Sequence, residues 1–146
     1  MIYFDTAYLV KCYVKEPGWE TVREIARQRR RIACSIYGRM ELHAAFHRHV
    51  REGNLSGNQL QTVFTQLALD ESRRLWTWLP ITETIMNRVV DTFKLLPTDV
   101  FLRTADAVHL ATARENGISE VYTNDDRMIR AAASFLVRAE NPIGPG

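Results

Sequence analysis

The 146-residue sequence lacks the features that mark secreted, membrane-spanning and disulfide-stabilised proteins. Its two cysteines, Cys12 and Cys34, form no close pair and follow no metal-binding spacing, so we expect reduced thiols that pack as small apolar residues. No stretch of about 18 apolar residues occurs, and no basic segment followed by a long apolar run opens the chain. These absences predict a soluble, cytoplasmic protein without a membrane partner. The length predicts a single domain, residues 1–146, that buries ~70% of its unfolded surface.

Lysine is also scarce, since only Lys11, Lys15 and Lys94 occur among 19 basic residues. Arginine's planar fork matches phosphate oxygens better than an ammonium group does, but a GC-rich genome also replaces lysine with arginine. The net charge is only +2, and the sequence pI of about 8.7 is below the value of ~9 that would by itself indicate a nucleic-acid-binding domain. Composition alone therefore does not establish RNA binding.

The apolar periodicity predicts strands that alternate with helices, which is typical of an α/β fold with a parallel sheet of four to five strands and right-handed crossovers. Trp76 and Trp78 share one face of the third predicted strand. We expect these two indoles to pack under a helix, which is favoured over stacking on unpaired bases. Thr6 can cap the first helix. Phe101 to Ala113 is apolar almost all round, as expected of a helix against the sheet. The predicted strands cover residues 1–5, 32–34, 75–79, 120–122 and 135–137, and a frayed tail begins at about residue 141.

Four acidic residues follow or adjoin the predicted strands at the edge where parallel strands end. They are Asp5, Glu41, Asp106 and Asp125. Asp125 alone could be a helix cap, and Glu41 alone a solvated helix residue. Asp5 and Asp106 are harder to explain, because a carboxylate in so apolar a context is costly to bury unless it is paired or bound to a cation.

Convergence of these acids would require a compensating positive charge. Two like charges about 4 Å apart repel by ~4 kcal/mol at an effective dielectric near 20. Hard oxygen ligands suit Mg²⁺ or Mn²⁺. A divalent ion held by carboxylates can activate water and hold a scissile phosphate.

Four sequence blocks resemble those of PIN domains, and most of all those of VapC-type toxins from bacterial and archaeal toxin–antitoxin pairs. The blocks are Ile2 to Lys11, Met40 to Leu42, Arg103 to Ala111 and Tyr122 to Asp125. The resemblance implies a three-layer α/β/α sandwich with strand order 3-2-1-4-5, which places the first strand at the centre. It also implies a Mg²⁺- or Mn²⁺-dependent endoribonuclease, a homodimer, and a cognate antitoxin that covers the acidic pocket.

By that resemblance, Asp5, Glu41, Asp106 and Asp125 are the metal-binding and catalytic acids, and Thr123 is a polar support. Family members often carry a small polar residue two positions after the first acid, where this chain has Ala7. We also expect supporting or substrate-contacting roles for four further residues: Thr6, Asp126 as an alternative to Asp125, and Arg103 and Lys11 as contacts to the RNA strand. Arg103 could instead pair only with a carboxylate.

Two histidine patterns have ordinary explanations. His43 and His47 have the spacing of a zinc-binding helix, but no third ligand is evident and a solvated or subunit-facing surface is favoured. His109 lies three residues after Asp106, and a histidine bonded within the core is favoured over a substrate contact.

Two other functions remain open at this point. A Mg²⁺-binding phosphoacceptor signalling domain also places acids at strand ends, but it needs a lysine after a late strand, and none follows Lys94. A catalytically silent PIN-like module would act only through protein contacts, and the presence of all four acids argues against it.

Overall fold

Five short parallel strands form the sheet in the computed structural model, which describes residues 1–145. The strand order is β3-β2-β1-β4-β5, as the resemblance to PIN domains implies, with β1 at the centre. A central strand is covered on both faces, which explains why Ile2, Tyr3 and Phe4 are at most 2% exposed. The strands are β1 (Ile2–Phe4), β2 (Ile32–Ser35), β3 (Trp76–Leu79), β4 (Glu120–Tyr122) and β5 (Arg138–Glu140).

Seven α-helices connect the strands within the described residues. They are α1 (Thr6–Tyr13), α2 (Trp19–Gln28), α3 (Ile36–Arg51), α4 (Gly57–Ser72), α5 (Glu83–Leu95), α6 (Thr104–Glu115) and α7 (Asp126–Ala131), and a 3₁₀ helix follows at Ala132–Phe135. Between residues 1 and 145, no helix is both long and apolar enough to cross a membrane.

The strand order places the helices in two layers. The chain moves outward from β1 through β2 to β3, and then returns past β1 to reach β4 and β5. Because crossovers between parallel strands are right-handed, α1 to α4 lie on one face and α5 to α7 on the other. The predicted three-layer sandwich is therefore confirmed.

Trp76 packs in the core, as predicted for this strand. It is 5% exposed, its ring centroid lies 6.4 Å from that of Phe4, and its indole N–H donates to the Tyr13 hydroxyl at 2.6 Å. Trp78 is half-buried and donates to Glu71 at 2.9 Å. Trp76 is therefore not accessible to bases, and Trp78 packs partly against the hydrophobic core.

Two predicted element boundaries are wrong. Residues 135–137 do not form the last strand, because the chain turns through the 3₁₀ helix and Leu136 adopts a left-handed conformation with φ 58°. Phe135 and Val137 are buried by that turn, and β5 follows them as a half-exposed edge strand. The helix predicted from Phe101 begins only at Thr104, since Arg103 is an extended N-cap.

The segment predicted as a frayed tail makes defined contacts over its described part, residues 141–145. The Tyr8 hydroxyl donates to Asn141 Oδ1 at 2.8 Å, and Ile143 packs against the hydrophobic core. Gly18, with φ 86°, lies directly under Ile143. These contacts hold the start of the segment against α1 and α2.

A buried charged cluster links α1 to α3. Lys11 is 4% exposed, and its Nζ donates to Glu16 at 2.9 Å. The other oxygen of Glu16 accepts from His49 Nε2 at 2.8 Å. Partial burial acts to raise the pKa of Glu16, but the hydrogen bonds from Lys11 and His49 lower it below its usual value.

Glu16→Gln should therefore change the acid dependence of stability. A carboxyl with a lowered pKa contributes stability above its unfolded pKa of ~4.3, and that stability is lost as the pH falls through the folded value. At pH 6 we expect the variant to be less stable by roughly 1.5–3 kcal/mol, the worth of hydrogen bonds to charged groups. Urea unfolding between pH 6 and pH 3 should show this difference shrinking on acidification. The exposed Glu20→Gln is the control, and a constant difference across that range would contradict the assignment.

Candidate active site

The acidic residues gather where the connections of the sheet reverse direction. β1 and β4 are neighbours, yet the chain leaves them towards opposite edges of the sheet. In open parallel sheets the ligand crevice lies beyond the carboxyl ends of such strands. Asp5 directly follows β1, and Thr123 directly follows β4.

Asp5 is a buried carboxylate with neutral hydrogen-bond partners. It is 5% exposed, its Oδ1 accepts from the Tyr8 N–H at 2.9 Å, and its Oδ2 accepts from the Thr123 hydroxyl. Asp5, and not Thr6, is therefore the N-cap of α1. Burial raises the pKa of Asp5, the bonds from Thr123 and Tyr8 oppose that rise, and the nearby charge of Asp106 adds to it.

Asp106 and Asp125 share one guanidinium. Arg103 Nε lies 2.7 Å from Asp106 Oδ2, and Arg103 Nη2 lies 3.0 Å from Asp125 Oδ2. Asp106 occupies the first turn of α6 and is 6% exposed, whereas the Arg103 side chain is 55% exposed. The hydrogen bond to Asp106 raises the pKa of Arg103 above its ordinary value. Arg103 thus pairs with carboxylates, which is the second of its two predicted roles.

Thr123 connects Asp5 to Asp125. Its side chain is fully buried; its hydroxyl donates to Asp5 and accepts the Asp125 N–H at 3.0 Å. Asp125 in turn caps α7 through the Arg127 N–H at 2.8 Å. The carboxylate of Asp126 is on an exposed residue and accepts no hydrogen bond from another described residue. The geometry places Asp125, and not Asp126, beside the other acids.

Glu41 is held by a second set of side chains. Its Oε2 accepts from the Thr6 hydroxyl and from His109 Nε2 at 2.8 Å. Although burial acts to raise the pKa of Glu41, the bonds from His109 and Thr6 lower it overall, and Arg103 adds a smaller lowering effect. Thr6 therefore supports Glu41 directly.

His109 belongs to the core, as the sequence predicts. It is 2% exposed, and its Nδ1 lies 2.7 Å from the Tyr3 hydroxyl, which accepts from the Ser35 N–H at 2.8 Å. Burial alone would lower the pKa of His109, but hydrogen bonds with Cys34 and Glu41 raise it to about 10. Hydrogen bonds thus connect Tyr3 of β1 to His109 and His109 to Glu41. The spacing of these residues in the sequence gives no sign of this connection.

Gly38 is a site residue that sequence reasoning missed. A Cβ at this position in α3 would meet Cys34 Sγ and would lie 2.9 Å from His109 Cε1. The absence of a side chain lets α3 approach closely enough for Glu41 to reach His109. A glycine inside a helical pattern was the available signal, because such a residue is costly unless packing requires it.

Lys11, a predicted RNA contact, is paired elsewhere, and His43 and His47 lie outside the acidic cluster. Lys11 is buried against Glu16, and its ammonium group is not available to an RNA strand. His43 stacks on Phe64 with 5.7 Å between the ring centroids, and His47 is exposed. Neither histidine is joined by further ligands in residues 1–145.

The charges of the site leave room for a divalent cation. Arg103 and a protonated His109 offset two of the four carboxylates when all four are ionised, so two negative charges remain. Four carboxylates also form the donor set that Mg²⁺ and Mn²⁺ prefer. In the described residues, however, no three His, Cys, Asp or Glu side chains are arranged to hold a metal ion. The carboxylate oxygens of Asp5, Glu41 and Asp125 instead form hydrogen bonds with Arg103, Thr6, Thr123 and His109.

A family model described as the PIN domain matches residues 2–134. The chain belongs to the PIN domain family. It is 31% identical over 137 residues to Ribonuclease VapC46 of Mycobacterium tuberculosis, and the alignment covers 92% of each protein. This PIN domain is thus homologous to a VapC-type ribonuclease.

Solved structures share the fold of this PIN domain at low identity. The crystal structure of FitAcB from Neisseria gonorrhoeae superposes with a TM-score of 0.75 at 19% identity, covering 99% of this chain and 100% of the other. VapBC2 from Rickettsia felis, bound to a DNA fragment from its promoter, gives a TM-score of 0.67 at 17% identity, with 97% and 98% covered.

Proposed function

We propose that this PIN domain is a metal-dependent endoribonuclease that hydrolyses RNA phosphodiester bonds, and that it is the toxin of a VapBC-type pair. One observation carries the proposal: Asp5, Glu41, Asp106 and Asp125 come from four separate parts of the chain and meet at one crevice. Thr123 and Arg103 join Asp5, Asp125 and Asp106 through hydrogen bonds, and Glu41, which Thr6 and His109 hold, lies close enough for its charge to raise the pKa of Arg103. The VapC46 homology supports the same activity.

The four carboxylates would hold Mg²⁺ or Mn²⁺, with Asp5 and Asp106 as direct ligands. A divalent ion in this position would supply Lewis acidity for phosphate and water. The protein's own side chains fix where the acids stand. Thr123 orients Asp5 and the backbone of Asp125, and Thr6 with His109 orients Glu41.

Arg103 can also contact the substrate. Its guanidinium is more than half exposed while it bridges Asp106 and Asp125. A guanidinium fork matches phosphate oxygens as well as carboxylates. We therefore assign Arg103 to the phosphate next to the scissile bond, where it would also balance charge that builds up on the phosphate.

The proposed partners are a cognate antitoxin and a second copy of the chain. VapBC2 is a solved complex of a related fold, which supports an antitoxin partner, and we propose that this antitoxin covers the acidic crevice. Helix α5 exposes Met86, Val90 and Phe93 by 52%, 52% and 39%, and their i, i+4, i+7 spacing makes one apolar stripe. That stripe supports a protein–protein contact, which we assign to a homodimer.

Metal removal tests the activity directly. Antitoxin-free protein incubated with single-stranded RNA of mixed sequence should cut it in Mg²⁺ or Mn²⁺. Excess chelator should abolish cleavage, and added Mg²⁺ should restore it. Cleavage that persists in chelator would overturn the metal dependence. No cleavage of any RNA with either metal would instead favour a silent module that acts through protein contacts.

A further inference from the structure

Three cavities adjoin one another along the face formed by α1 to α4. The first, about 480 Å³, contains Glu41 and Thr6 of the acidic crevice. The second, about 720 Å³, shares Glu16 with the first. The third, about 730 Å³, shares Arg23 with the second. Together they form a groove that leads away from the acidic crevice, and we call the third cavity the distal cavity.

Arginine dominates the distal cavity. Asp70 is the one acid among its described lining residues, and its two oxygens already accept from the Tyr13 hydroxyl and Gln66 Nε2, each at 2.8 Å. The five arginines that line it are Arg23, Arg27, Arg29, Arg30 and Arg73. So many cations around one carboxylate repel one another, which favours an anionic ligand.

Several of these arginines have no partner among residues 1–145. Within residues 1–145, Arg29, Arg30 and Arg73 form no ion pair. The Nε–H of Arg23 is buried and has no acceptor among the same residues. A buried donor without a protein acceptor favours a ligand that supplies oxygen atoms at this position.

The distal cavity lies at the opposite end of the sheet from the acids. Arg29 and Arg30 precede β2, and Arg73 precedes β3, whereas the acids lie beyond the carboxyl ends of the strands. The four residues of β2 put about 13 Å between these ends at ~3.3 Å per residue.

The groove also carries cations between its two ends. Arg48 and Arg51 line the first cavity, and Lys15 lines the second. Arg51 and Lys15 form no ion pair with a described residue. Positive side chains thus recur along the path from Glu41 to the distal cavity, as expected of a surface that follows a nucleic-acid backbone.

We infer that the groove binds the phosphodiester backbone of single-stranded RNA, with the distal arginines anchoring the strand at the end of the groove away from the scissile bond. The choice of RNA rests on the proposed function. Phosphate chemistry alone would also suit a small phosphate ligand held in the distal cavity.

Binding measured in chelator tests this inference without cleavage. Fluorescence anisotropy would follow a labelled single-stranded RNA of about 20 nucleotides, which is longer than the site sizes of single-strand binders. The variant is Arg30→Ala/Arg73→Ala. The control is Arg114→Ala/Arg130→Ala, which removes the same charge from two exposed arginines outside the groove. Pyrophosphate is titrated separately by calorimetry.

We expect the groove variant to bind RNA about tenfold more weakly and to lower the slope of log affinity against log salt by ~1.4, the value for two phosphate contacts on a single strand. The control should retain wild-type affinity. Equal losses in both variants would overturn the groove, and tight pyrophosphate binding that needs Arg30 and Arg73 would overturn the RNA assignment. Cleavage in Mg²⁺ is a separate readout, so RNA binding without cleavage would refute the proposed function and leave the groove intact.

Discussion

Replacing Asp106 with asparagine should lower the rate of RNA cleavage by at least ~100-fold, equivalent to about 2.7 kcal/mol of transition-state stabilisation. The amide has almost the same shape as the carboxylate but carries no charge, so it binds a divalent cation far more weakly. Asp106 is buried and lies close enough to Asp5 for its charge to raise the pKa of Asp5. Its loss would remove one of the two proposed direct ligands.

The fold of the Asp106→Asn variant should remain intact. Asparagine keeps an acceptor oxygen for Arg103, which retains its ion pair with Asp125, and the loss of one of four clustered carboxylates relieves like-charge repulsion. Thermal unfolding and single-turnover cleavage should therefore separate the two effects. Asp91→Asn, which removes an exposed carboxylate on α5, should cleave at the wild-type rate. Comparable activity in Asp106→Asn and Asp91→Asn would show that Asp106 has no part in the chemistry.

Gly38→Ala should destabilise the protein by roughly 1–3 kcal/mol, the range for overpacking a filled core. The added methyl would press on Cys34 Sγ, which is 1% exposed, and on the buried ring of His109, so neither neighbour can move into solvent. The gain from replacing glycine by alanine in a helix, up to ~1 kcal/mol, offsets only part of this cost. Because His109 holds Glu41, the variant should also lose cleavage activity at temperatures where it remains folded.

Gly57→Ala is the matched control for that substitution. Gly57 begins α4, and a Cβ there would contact nothing within 4 Å. Urea unfolding should show Gly57→Ala at or slightly above wild-type stability and Gly38→Ala well below it. If both substitutions stabilised the protein equally, the close approach of α3 to His109 would not constrain the site.

The central part of the fold was predictable because it follows from local patterns. Three consecutive apolar residues before Asp5 predict a strand buried on both faces, and Ser35 and Ser56 are N-caps as expected for their residue type. The edge strand β5 was not predictable. It has three half-exposed or exposed residues without apolar alternation, while the buried Phe135 beside it belongs to a turn.

The positions of the acids were predictable, but their partners were not. The ends of parallel strands meet at one edge of a sheet, so Asp5 and Asp125 could be placed together from the strand order. Partner choice depends on long-range geometry: Arg103 bridges two acids, and Lys11 pairs with Glu16 in the loop that follows α1. No sequence spacing reports which of several nearby carboxylates a flexible cationic side chain will contact.

Binding of Mn²⁺ measured by calorimetry tests the metal site most directly, because it needs neither substrate nor turnover. Wild-type protein should bind Mn²⁺ saturably, Mg²⁺ should compete, and Asp106→Asn should bind at least tenfold more weakly, about 1.4 kcal/mol, while Asp91→Asn matches wild type. The absence of saturable binding to wild type, or equal affinity in Asp106→Asn, would mean that these carboxylates gather for a reason other than holding a divalent cation.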